Sequence, residues 1–135
     1  MDPVVHFELP YDDADRVVRF YAVVFGWKLQ PLGAAMDRYI LATTAEADVR
    51  IDAPAGAING GLFPRKPDWP AQQPSVVIGV ADIRATMNRI DGAGGRVLGQ
   101  PMTIPGVGEY VAFLDSEGNR GSVLQAAMAG DRTAG

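Results

Sequence analysis

The chain of 135 residues contains no cysteine. Disulfide scaffolds, thiol catalysis, Cys-ligated zinc and iron–sulfur clusters are therefore excluded. It has one histidine, His6, which excludes an HExxH zinc site and any multi-histidine metal cluster within one chain. No run of about 18 apolar residues is present, so no transmembrane helix is expected. Met1-Asp2-Pro3-Val4 has neither a basic n-region nor a long apolar h-region, so a secretory leader is not expected and a cytoplasmic location is. Basic excess is also missing: 12 basic against 16 acidic residues give a net charge of −4. Neither nucleic acid nor membrane is an expected partner.

What is present fits a folded domain. Apolar residues make up 47% and charged residues 21%. The 16 glycines and 10 prolines are spread along the chain, which indicates short elements joined by tight turns. Val4 to Leu9 reads as a strand ended by Pro10. Asp12-Asp13 supplies an N-cap, and Ala14, Val17, Val18, Tyr21, Val24 and Phe25 fall at helical spacing. Gly26 follows where a left-handed C-cap belongs. Residues 12 to 25 thus predict an amphipathic helix. Trp27 to Leu32, Arg38 to Thr43 and Ala57 to Phe63 read as strands. Val49-Arg50-Ile51 reads as a short strand or loop. The stretch from 64 to 74 carries four prolines and reads as a linker.

The pattern then returns. Ser75 to Val80 predicts a strand, and Asp82 an N-cap. Ile83, Met87 and Ile90 predict a helix ended by Gly92 to Gly95. Arg96 to Leu98, Glu109 to Leu114 and Ser122 to Gln125 predict three strands. A shift of 69 residues lays Asp13 on Asp82, Gly26 on Gly95 and His6 on Ser75, which reads as an internal duplication. Residues 127 to 135 read as a loose tail.

Two strings carry a resemblance. VVHFELPYDDADRVVRFYAVVFGW, with Phe20-Tyr21 through Phe25-Gly26-Trp27, resembles the opening strand and helix of the vicinal oxygen chelate superfamily. This is the glyoxalase, bleomycin-resistance protein and extradiol dioxygenase group. GVADIRATMNRIDGAGGRVLGQPMTIPGVGEYVAFLDSEGNRGSVLQ, with Asp115 to Asn119, resembles its second module. The resemblance implies an α+β fold: two βαβββ modules, about 3–64 and 74–126, forming an eight-stranded cup-shaped mixed sheet flanked by helices, all in one domain over 3–126. It also implies a homodimer, and in many members a divalent metal held by four side chains on the first and last strands of each module.

His6 matches the first of those positions. Ser75 stands at the second module's first-strand position and Ser122 at its last-strand position, and the Gly60-Gly61 neighbourhood offers no ligand. Three of four expected ligands are missing, so no metal or other cofactor is expected. A divalent metal held through His6 and Glu8 is the minority alternative, because strand alternation puts both on one face.

His6 and Glu8 are the candidate catalytic residues, for proton transfer. The plainer reading of His6 is a hydrogen-bonded strand histidine lining the cup, and of Glu8 a carboxylate paired with arginine or exposed at a rim. Trp27, Tyr39, Phe63, Tyr110 and Phe113 are candidate aromatic lining for a ligand, with core packing as the alternative for each. Trp69, in the Pro-rich stretch, can instead cap an interface. Asn59 with Gly60-Gly61 can present amide and bare backbone to a ligand, or mark a strand that must clear an opposing side chain. Ser75 and Ser122 read as hydrogen-bonding residues of the cup. Asp12, Asp13, Asp82 and Asp115 read as caps and turn residues. The leading functional reading is a protein that binds a small apolar or aromatic molecule without a metal. The alternatives are a lyase, isomerase or epimerase using His6 and Glu8, and a vestigial cup serving protein contacts.

Overall fold

The computed structural model describes residues 1–45 and 57–127. The expectations for Val49 to Ile51 and for the tail beyond 127 lie outside those residues. Eight strands and two α-helices confirm the α+β class. The chain forms two compact units, one of residues His6–Pro74, the other of Met1–Val5 with the chain from Ser75 onward.

In the first unit β1 (Val4–Tyr11), which belongs to it from His6 onward, leads to α1 (Ala14–Phe25), then β2 (Lys28–Pro31), a short 3-10 turn (Ala34–Met36), β3 (Ile40–Thr43) and β4 (Gly60–Pro64). The strands lie in the order β2-β3-β4-β1. β1 runs parallel to β4, and the other pairs are antiparallel. The helix begins because Asp13 is an N-cap whose carboxylate accepts from the Arg16 amide at 3.0 Å. Asp12 plays a different part: its carboxylate pairs with Arg65 Nε at 3.1 Å. The helix ends at Gly26, whose φ of 72° suits a residue without a Cβ.

One face of this sheet meets α1. Tyr11, Ile40, Ala42 and Leu62 are buried there, with Phe7, Leu9, Ala14, Val17, Val18, Tyr21, Trp27 and Leu29 packed against them. Ile40 and Leu62 are fully enclosed, each contributing about 1.5–3 kcal/mol by removal from water. Val24 and Phe25, expected on the packed face of the helix, are 53% and 61% exposed. Trp27 packs on the core instead, its ring stacked on Tyr21 at 4.5 Å and 9°. The outer side of the helix is also apolar at Phe20 and Val23.

Several boundaries differ from the sequence reading. β1 continues through Pro10, paired in register with Phe63. The strand is near its end there, and proline is tolerated at strand ends. Asp37 and Arg38 both have left-handed φ, 53° and 56°, so β3 begins only at Ile40. The Tyr11 hydroxyl holds this turn by donating to the Arg38 carbonyl at 2.6 Å. The Pro-rich stretch is folded around Gln72, which accepts from the Lys66 amide at 2.5 Å and donates to the Lys66 and Trp69 carbonyls. Trp69 lies under Lys66 Nζ, 4.9 Å from the ring centre.

The second unit has β5 (Ser75–Gly79), α2 (Ile83–Gly92), β6 (Arg96–Ile104), β7 (Gly108–Leu114) and β8 (Arg120–Ala126), in the order β5-β8-β7-β6. β5 runs parallel to β8 and the rest antiparallel. Asp82 caps α2 by accepting from the Ala85 amide at 3.1 Å. The helix ends on Ala93, and it is Gly94, not Gly95, that has positive φ. Val80, Ile83, Val111 and Val123 form the core, packed by Ile78, Met87, Ile90, Val97 and Phe113. β6 extends six residues past the expected Leu98, because a register shift between Leu98 and Met102 breaks the alternation there. Pro3 joins this unit by accepting from the Gly79 amide at 2.9 Å. Among the described residues, no helix is long and apolar enough to cross a membrane.

Candidate functional site

Alternation along β1 decides the geometry of the first unit. Phe7 and Leu9 pack on the helix side, so His6 and Glu8 belong to the opposite face, open in the sense that α1 does not cover it. Register carries that face across the sheet. Glu8 pairs with Gly61, Gly61 with Leu41, and Pro10 with Phe63. Tyr39, two residues before Leu41, reaches the same face and meets both acid–base candidates. Its hydroxyl donates to Glu8 Oε2 at 3.0 Å and lies 3.2 Å from His6 Nε2. Glu8 is only 8% exposed, and His6 is half-buried.

Gly61 makes room for this arrangement. A Cβ at position 61 would overlap the Tyr39 hydroxyl, and one at Gly60 would overlap the Phe7 ring. Of the two readings of the glycine pair, clearance of opposing side chains is the one observed. Burial pushes the His6 imidazole below its ordinary pKa, and the nearby Glu8 opposes this in part. The ring is therefore neutral near pH 7 and has a lone pair to offer.

The other expected site residues divide by face. Phe63 is on the open face with Glu8 and is almost fully buried. In the second unit Val77 pairs with Ser122, and Ser122 with Ala112, which places Ser75, Tyr110 and Ser122 on the face away from α2. The Tyr110 hydroxyl and Ser122 Oγ are 2.6 Å apart. Trp27 and Phe113 are corrections to the expected lining: both pack on the helix sides of their sheets. Phe113 also lies over Gly121, its partner across the strands. Asn59 is a further correction. Its side-chain oxygen accepts from the Thr44 and Ala45 amides at 2.8 and 2.9 Å, so it serves the strand end. Asp115 organises its own turn, accepting from the amides of Glu117 and Asn119.

The residues do not fit the four-ligand metal that the resemblance implies. On β4 the residue beside Glu8 is Gly61, and the Tyr39 hydroxyl fills the space its side chain would need. Ser75 and Ser122 offer only neutral hydroxyls, and that of Ser122 is engaged by Tyr110. His6 Nε2 and Glu8 Oε2 both meet one phenol, that of Tyr39. Among the described residues, no three His, Asp or Glu side chains are grouped to hold an ion.

What the sequence reading missed is the bridging role of Tyr39, which it took as an aromatic surface. The parity of Tyr39, Leu41 and Thr43 was available as a signal, but the register that sets them against Glu8 was not.

The family model for the Glyoxalase/Bleomycin resistance protein/Dioxygenase superfamily matches residues 4–122. A glyoxylase-like domain-containing protein of Didymella fabae is 30% identical over 115 residues, covering 83% of this chain and 84% of that protein. Among solved structures, hypothetical protein BH1468 from Bacillus halodurans C-125 superposes with a TM-score of 0.65 at 13% identity, covering 94% of this chain and 96% of that one. Methylmalonyl-CoA epimerase from Mycobacterium tuberculosis also gives 0.65, at 15% identity, covering 93% and 88%. These likenesses at low identity speak to the fold. The family match and the Didymella relative establish membership: the chain belongs to the glyoxalase/bleomycin resistance protein/dioxygenase superfamily.

Proposed function

We propose that this protein binds a small organic molecule on its open strand face and moves a proton on it, as an epimerase or isomerase. The observation that carries the reading is the Tyr39 hydroxyl shared between His6 and Glu8. A neutral imidazole beside a buried carboxylate suits general-base chemistry near pH 7. The fitting substrate has a C–H bond next to a carbonyl. His6 takes that proton and the electron pair passes to the carbonyl oxygen as an enolate; a solvent proton delivered to the opposite face of the carbon then gives the epimer, and His6 releases its own proton to water. No metal enters this reading, because the donor set does not suit one.

Solved structures of similar fold include methylmalonyl-CoA epimerase, which makes methylmalonyl-CoA the first compound to try. The test is proton exchange in D2O, followed by NMR, for methylmalonyl-CoA and a panel of chiral α-substituted carbonyl compounds. Deuterium entering the α-carbon faster than in buffer, and lost in His6→Ala, is the expected result. Saturable binding of a panel compound without exchange would instead leave a binding protein. That is the simpler reading of an open face carrying Phe63 and Tyr39.

A further inference from the structure

From the hydrogen-bond directions around Tyr39, we infer that Tyr39 is a positioning residue that locks His6 in its Nε2–H tautomer and leaves Nδ1 as the working base. A phenol has one proton to give. Tyr39 gives it to Glu8 Oε2 at 3.0 Å. Its oxygen can then only accept from His6 Nε2, 3.2 Å away, so that nitrogen carries the ring hydrogen. Among the described residues Nδ1 makes no hydrogen bond, and its lone pair is the one left for a ligand. The relay runs in one direction, from His6 Nε2–H through the phenol to the Glu8 carboxylate. Hydrogen bonds aligned in this way polarise one another, and a carboxylate at the end makes the imidazole a better base.

Position 61 sets the device. Only a residue without a Cβ admits the phenol to the point where both partners can be reached. The inference deepens the proton-transfer reading and takes its catalytic meaning from it, but the tautomer is a property of the free protein.

His6 is the only histidine in the chain, so a 15N-labelled sample gives one pair of imidazole nitrogens. Their shifts and their couplings to the ring protons, recorded above pH ~7 where an ordinary imidazole is neutral, distinguish the two tautomers without any substrate. The expected result is a predominance of Nε2–H in the wild type. Tyr39→Phe should move the ratio about five-fold toward Nδ1–H, the factor carried by a hydrogen bond of ordinary net strength. The same variant should lower kcat more than it raises KM on any substrate found. A wild-type protein in the Nδ1–H form overturns the inference, and so does a Tyr39→Phe ratio unchanged from wild type. The wild-type spectrum decides the first point even if the variant does not fold. If the Nε2–H form is found but no compound exchanges, the relay stands and the proposed reaction falls.

Discussion

Gly61 lies beneath the Tyr39 hydroxyl with no room for a Cβ between them. The pair acts as one unit, and its energetics should show this. Gly61→Ala is expected to cost about 1–3 kcal/mol, the usual range for forcing extra atoms into a packed site. In a Tyr39→Ala background the same change should cost at least about 0.5 kcal/mol less, because the clash is gone. Urea unfolding of the four proteins in this cycle measures the coupling. Additive costs would mean that the two residues do not share the space.

His6 gives a pH signature of known sign. Its pKa in the folded protein lies below the ordinary value, chiefly through burial. The unfolded chain therefore takes up the proton first as pH falls. Stability should be level above pH ~6.5 and decline below it, until the folded form protonates as well. His6→Gln should flatten this part of the profile. Asp115 acts in a separate range. Its carboxyl is held below the usual value by the Asn119 backbone and side chain and the Glu117 amide. That contribution is present above pH ~3.8 and lost only in stronger acid. Denaturant melts between pH 2 and 8 separate the two.

Asp13 and Asp82 cap the two helices by the same bond, to the amide three residues on. Asp13→Ala and Asp82→Ala should each cost about 1 kcal/mol, and the corresponding Asn variants much less. Thermal unfolding of the four variants checks this. An Ala variant as stable as wild type would assign that helix start to packing alone.

The two tryptophans should part company. Trp27 is stacked between Tyr21, Phe25 and Phe7, so Trp27→Ala should destabilise by roughly 2–4 kcal/mol. Trp69 lies under a lysine and is 41% exposed, so Trp69→Ala should cost at most about 1 kcal/mol. Because Trp27 faces α1, ligands of the open face should leave its fluorescence largely unchanged. A strong response confined to Trp27 would return it to the binding surface.

Much of the fold could be read from the chain because its signals are local. Asp13 and Gly26 mark the two ends of α1 within 13 residues of one another, and Val4 to Leu9 alternates in the way a half-buried strand must. The alternation also placed His6 and Glu8 together and opposite Phe7. Errors arose where non-local packing overrides the local pattern. β6 looked short because its bulge interrupts the period. Trp27 and Phe113 looked like lining because an aromatic ring suits a pocket and a core equally well. The link from Tyr39 to Glu8 spans 31 residues and depends on the pairing of β3 with β4. Nothing near Tyr39 in the sequence announces it.

The first five residues group with the part of the chain that begins at Ser75, and Pro3 is fastened there to Gly79. Pro3 is made before the intervening unit and Gly79 after it, so the bond between them closes only once that unit has been synthesised. A change in the chain around Pro3 thus acts on the later-made half of the protein rather than on the half it adjoins.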